Sequence, residues 1–160
     1  WKKYYTSGEG YNYLMPHLLG AVARGQIETF KNKMLVKKMH VGKTYRKLSK
    51  DKNIVMTQQI PKGFKSVFWL NSIYFKNLNK NQVNKIGEAL MKKGIEVRSG
   101  FWPLNKQQGF KFKFVNGTDS NTKNLSNKIF EKSLVLPSSI DLKQTDINYI
   151  LNTVQKLSKK

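Results

Sequence analysis

Two stretches of the chain join aromatic rings to polar groups able to hold a ligand. Residues 8–17 read GEGYNYLMPH and set Asn12 between Tyr11 and Tyr13. Residues 98–110 read RSGFWPLNKQQGF and bring Arg98, Phe101, Trp102 and Asn105 close in sequence. Ring walls with a few convergent polar groups are the usual composition of a small-molecule pocket. An asparagine amide donates hydrogen bonds without adding charge, and an arginine grips an anion with a planar fork. The same rings would also serve as plain packing at a sheet edge, and residue types alone leave both readings open.

Other chemistry finds no support. His17 and His40 have no histidine, cysteine or acid at metal-ligand spacing, so no metal site is expected. Only nine carboxylates are present, and Glu9, Glu28, Glu88, Glu96 and Glu131 do not pair on one face as acid–base catalysis would require. No GxxxxGK, GxGxxG or GxSxG motif occurs. The residues therefore offer no catalytic machinery of their own.

Composition sets the frame. A chain of 160 residues with 39% hydrophobic content fits one folded domain, and a domain of that size buries about two-thirds of its unfolded surface. No apolar run is long enough to span a membrane. The absence of cysteine and of a leader-like opening stretch gives the expectation of a cytoplasmic protein. The net charge is +21, nearly all of it lysine, because arginine occurs only at Arg24, Arg46 and Arg98. Such charge favours phosphate polymers, but the lysines are scattered, and lysine lacks the planar geometry of specific reading. Lysines 31, 33, 37, 38 and 43 read as the solvated side of a helix.

The elements that must position the two stretches follow from periodicity. From Pro16, apolar residues recur at Leu18, Leu19, Val22, Ile27, Phe30, Met34, Val41, Tyr45 and Leu48, which predicts amphipathic helices bending near Gly25. A short strand is expected around Ile54–Thr57 and a central one over residues 66–75 (SVFWLNSIYF). Asn79 caps a helix whose inner face is Val83, Ile86, Ala89 and Leu90, and Gly94 ends it. A strand over 95–102 stops at Pro103, a polar aromatic loop spans 105–121, and Thr122 caps a helix to 133. SLVLPSS is a strand closed by Pro137, and the last helix runs from Lys143 to Leu157 with Ile147, Ile150, Leu151, Val154 and Leu157 inward. Strands alternating with helices predict a layered α/β sandwich.

GYNYLMPHLLGAVARGQIETF resembles the segment that follows the cofactor-binding domain in pyridoxal-phosphate-dependent sugar aminotransferases of the DegT/DnrJ/StrS family. VFWLNSIYF, LMKKGIEVR, FWPLNKQQGF and KSLVLPSSIDL follow in the family's order, so the resemblance runs from about Gly8 to Leu157. It implies the C-terminal small domain of a fold-type-I transferase, a small sheet flanked by helices after a long bent helix. Residues 1–15 would form an interface and active-site loop, and 16–160 the small domain. It implies a homodimer with its active site between subunits, acting on a nucleotide-linked keto-sugar with an amino-acid donor, in amino-sugar biosynthesis for cell-surface polysaccharide. Asn12 would reach the phosphate of the partner subunit's pyridoxal phosphate. Arg98, Trp102, Asn105 and Tyr13 would face the substrate.

The sequence also departs from the family pattern. Leu14 stands where a basic residue is common, Pro16 and His17 replace a hydroxyl and an acid or amide, and Asn105 replaces a histidine. These departures bear on substrate class rather than fold. The Schiff-base lysine, the acid facing the pyridine nitrogen and most phosphate-binding residues belong to the family's large domain, and no lysine here matches the aldimine position. The expectation is a C-terminal fragment that is inactive and binds no cofactor when isolated. The alternative is a basic binding module for nucleic acid or another polyanion.

Overall fold

The computed structural model describes residues 10, 14–56, 59–108 and 120–159. The chain enters through helix α1, His17–Thr29, passes a π-helical segment, Phe30–Leu35, and continues as α2, Val36–Tyr45. Strands β1 (Ile54–Met56) and β2 (Asn71–Phe75) precede helix α3 (Lys80–Lys92) and strand β3 (Arg98–Ser99). Helix α4 (Ser120–Glu131), strand β4 (Ser133–Leu136) and helix α5 (Gln144–Ser158) complete the order.

The four strands form one antiparallel sheet in the order β1-β2-β4-β3. Alternation decides its two faces. Asn71, Ile73 and Phe75 point into the core, and the register Ile73 opposite Leu134 and Asn71 opposite Leu136 puts those leucines beside them. Tyr45 and Leu48, Val83 and Leu90 of α3, and Ile147 and Val154 of α5 complete this core. The opposite face carries Ser72, Val135 and Arg98, which are cross-strand neighbours by register.

Helix α3 forms as its sequence requires. Asn79 Oδ1 accepts from the Gln82 N–H at 3.0 Å, and Gln82 Oε1 accepts from the Asn79 N–H at 2.9 Å. This reciprocal box satisfies two otherwise orphaned donors. Gly94, at φ +76, lets the chain turn away after the last lysines.

Five expectations need correction. Helix α1 runs through Gly25 without a break, and the irregularity lies at the π-helical segment instead. Its apolar residues Leu18, Leu19, Val22 and Ile27 are exposed, because the inward stripe begins only at Val41. The strand expected over 66–75 starts at Asn71, because Phe68 takes a left-handed backbone, φ +49, that no strand continues. The strand expected over 95–102 pairs only at Arg98–Ser99, and α4 starts at Ser120, so Thr122 lies inside it rather than at its cap.

Candidate functional site: the outer face of the sheet

Two clefts open on the sheet face opposite the core. One, about 440 Å³, is lined by Trp69, Leu70, Glu96, Arg98, Val135, Pro137, Ser138 and Ser139. The other, about 370 Å³, is lined by Ser72, Gly100, Phe101, Trp102, Pro103, Ser126, Phe130 and Ser133. Val135 lies in the first and its register partner Ser72 in the second, so the clefts adjoin along the strands.

Sequence reasoning grouped Arg98 with Trp102, and the fold divides them. Arg98 lies in the first cleft with its Nη2 3.9 Å from Glu96 Oε1. Both are partly exposed, so water weakens this pairing to a small contribution. Trp102 lies in the second cleft, its ring centroid 4.7 Å from that of Phe130 at a 44° tilt. Aromatic pairs at this separation add to simple burial, so packing occupies at least one side of the indole. Gly100 makes this approach feasible, because a Cβ there would meet the Phe130 backbone at 3.2 Å. Asn105 falls in the turn Leu104–Lys106, and its side chain lies outside the described residues. Asn12 and Tyr13 also lie outside the described residues.

Almost nothing in the sequence announces the corner that builds the first cleft. Phe68 is buried against Gly42 of α2, while the adjacent Trp69 is 71% exposed. A positive φ at a bulky residue costs on the order of 1–3 kcal/mol and persists only where its surroundings enforce it. One enforcing group is Lys38. Its ammonium donates to the Trp69 carbonyl at 3.3 Å and to the Ser138 carbonyl, so a single side chain ties the two walls together. Burial lowers the Lys38 pKa from its ordinary value. Asn71 adds a second tie, its Nδ2 donating to Ser138 Oγ at 3.0 Å. The one available signal was Gly42, since a glycine inside a helix is unfavourable by about 1 kcal/mol unless something needs the space.

Of the two histidines, only His40 has, among the described residues, a contact that joins helices. His40 Nε2 is 2.8 Å from Gln144 Oε1, linking α2 to α5, and His17 is exposed at the start of α1. No described helix is long and apolar enough to cross a membrane.

A helix layer on an antiparallel four-stranded sheet is a fold shared with solved sugar aminotransferases. The chain matches PseC of Helicobacter pylori, an aminotransferase of pseudoaminic acid biosynthesis, at TM-score 0.75 and 19% identity over 94% of this chain and 39% of that one. It matches S. venezuelae DesV, solved with a ketimine intermediate, at TM-score 0.75 and 13% identity over 99% and 41% of the two chains. It matches Spr1654 of Streptococcus pneumoniae, assigned as a candidate sugar aminotransferase and solved in its PLP form, at TM-score 0.79 and 19% identity over 91% and 36%. A search of curated proteins returned no match. The chain belongs to the DegT/DnrJ/EryC1/StrS aminotransferase family, whose profile matches residues 1–155. The family's aminotransferases are PLP-dependent. The chain spans little more than a third of the length of these solved proteins.

An internal aldimine needs a free amine, and Lys38, the lysine that ties the walls of the first cleft, is committed to two carbonyls. No step through the cofactor is therefore assigned to it.

Proposed function

We propose that this chain is the small-domain part of an aminotransferase acting on a nucleotide-linked keto-sugar. The observation that carries the reading is the family match across nearly the whole chain, at the length of a domain rather than of a whole enzyme. The complete protein would be a cytoplasmic homodimer, and the large domain would supply the lysine and the acid that tune the cofactor as an electron sink. Asn12 would donate an amide N–H to the cofactor phosphate of the neighbouring subunit. Arg98 would face an anionic group of the substrate, with Trp102, Asn105 and Tyr13 forming ring and amide walls. The amino donor would be an amino acid.

Joining the chain to a lysine-bearing cofactor domain of a family member tests this reading. Amino transfer is expected only in the joined protein, and Asn12→Ala is expected to loosen its hold on pyridoxal phosphate. Turnover by the 160 residues alone would overturn the division of labour, and unchanged cofactor retention in Asn12→Ala would overturn the role of Asn12.

The net charge of +21 favours one further reading, polyanion binding without catalysis. Binding of that kind would weaken steeply with salt and ignore sequence. Loss of RNA or DNA binding at physiological salt would leave no support for it.

A further inference from the structure

The helix layer carries a surface of its own, away from the sheet face that holds Arg98 and Trp102. Two hollows, about 230 and 450 Å³, open beside α3 and α5 and share Leu157 as a wall. Leu157 shares one hollow with Gln82, near the start of α3. The Tyr149 hydroxyl donates at 3.3 Å to the carbonyl of Lys93, just past the end of α3. The two helices therefore run antiparallel, and the hollows follow one another along a single trough. From Gln82 to Lys93 the trough is about 16 Å long, about three turns of helix.

Helical spacing builds it. Gln82, Ile86, Ala89 and Lys93 recur at steps of four and three along one side of α3. The floor is Ile86, Ala89 and Leu157, and Tyr149, 51% exposed, stands at one end. The rim is lysine. Lys85, Lys93 and Lys156 are exposed, and among the described residues no carboxylate lines the trough. The ion pairs of Glu96, Glu131 and Asp141 lie elsewhere, and none reaches these three lysines.

We propose that this trough docks an acidic amphipathic helix of a partner protein. Its apolar side would rest on Ile86, Ala89 and Leu157, with carboxylates against Lys85, Lys93 and Lys156. A helix laid in an apolar groove is a recurring mode of recognition, with anchors at i, i+3, i+4 and i+7. Charge decides the sign, because a basic helix would set its cations against three unpaired ammonium groups. Shape decides the class of partner. A nucleic-acid backbone seeks cations and polar groups and gains nothing from an apolar floor. A membrane surface takes up protruding apolar side chains rather than a recess. Tyrosine at the end of the trough is a residue type enriched at interfaces. The surface uses none of the residues assigned to the enzyme reading, and it stands whether or not that reading does.

The probe is a fluorescein-labelled peptide with leucines at i, i+3, i+4 and i+7 and glutamates between them. Its anisotropy is followed as the 160-residue chain is added. A scrambled peptide of the same composition is the control for charge. Saturable binding of the first peptide is expected, with the scrambled one weaker by about 10-fold or more. Ala89→Lys separates the two forces, since it blocks the floor and adds a positive charge. It is expected to weaken binding by about 10-fold or more, whereas attraction by charge alone would strengthen it. Lys85→Gln with Lys156→Gln should weaken binding about 3-fold or more. Lys47→Gln with Lys52→Gln, the same charge change outside the trough, should leave it unchanged. Urea midpoints verify that each variant folds, and the exposed Lys85 and Lys156 carry the test if Ala89→Lys does not. Equal binding of the scrambled peptide, undiminished binding by folded Ala89→Lys, or equal loss in the two lysine pairs would overturn the proposal. So would no binding at all, or preference for anionic vesicles or RNA over the peptide.

Discussion

Phe68 occupies the space a side chain at residue 42 would need: a Cβ built on Gly42 would lie 2.1 Å from Phe68 Cγ. Both residues are buried, so neither helix α2 nor the ring moves aside without disturbing the core. Gly42→Ala is expected to destabilise the fold by about 1–3 kcal/mol or more through overpacking. Helix propensity alone argues for the opposite sign, a gain of about 1 kcal/mol. Urea unfolding decides between them, and a midpoint raised by Gly42→Ala would show that Phe68 does not hold its place against α2.

What the sequence made legible were the elements whose rules are local. Asn79 and Gly94 bracket α3 by capping and by a positive φ, and both lie within the segment they delimit. The inward stripe of α5 and the apolar run of β4 are equally self-contained. What stayed hidden depends on contacts distant in sequence. Nothing within SVFWLN says that Phe68 meets a glycine 26 positions earlier or that Lys38 holds the next carbonyl. Arg98 and Trp102 are close in sequence, but they lie in adjoining clefts because β3 ends at Ser99. Asn12 is an expectation of the family resemblance alone and lies outside the described residues.

Asn79 offers a clean measure of local stability. Asn79→Ala removes the side-chain acceptor for the Gln82 N–H and keeps the backbone N–H that donates to Gln82 Oε1. The expected cost is about 1 kcal/mol, read as a lower urea midpoint with an unchanged slope. Asn79→Asp should restore most of it, since a carboxylate accepts the same bond and suits the positive end of the helix. Failure of Asp to rescue would show that the loss comes from elsewhere than the cap.

Tyr45 makes alkaline pH informative. Its ring is fully buried, its hydroxyl has no hydrogen-bond partner among the described residues, and desolvation raises its pKa. The unfolded tyrosine ionises near pH 10, whereas the folded one resists. Tyr45 therefore contributes stability that is fully present below about pH 10 and is lost as pH rises further, because only the unfolded state releases the proton. Lys38 works in the opposite sense, since its lowered folded pKa means a penalty relieved as pH rises. Tyr45→Phe is expected to be neutral or stabilising at pH 7, by up to about 1 kcal/mol, because it removes an unsatisfied buried group. The difference between the two proteins should then change only above about pH 10. A difference that stays constant across that range would place the Tyr45 hydroxyl in contact with water.

Helix α1 shows what the chain asks of its surroundings. Leu18 and Val22, one turn apart on the same face, are 76% and 56% exposed, and Leu19 beside them is also exposed. Contiguous apolar surface of this kind marks an interaction site. The solved relatives are more than twice as long as this chain, and in the reading proposed above a large domain would cover this face. In its absence the 160-residue chain is expected to self-associate through α1. The charge of +21 opposes that association by repulsion, and salt screens repulsion over a Debye length of about 8 Å at physiological strength. Association should therefore grow with added salt, whereas lysine-driven binding to a polyanion should weaken. Leu18→Gln with Val22→Gln should return the chain to a monomer in sedimentation velocity without lowering its urea midpoint, because neither side chain belongs to the core. A double variant that remains associated would locate the contact away from α1, and one that loses stability would show that the face is already covered within the chain.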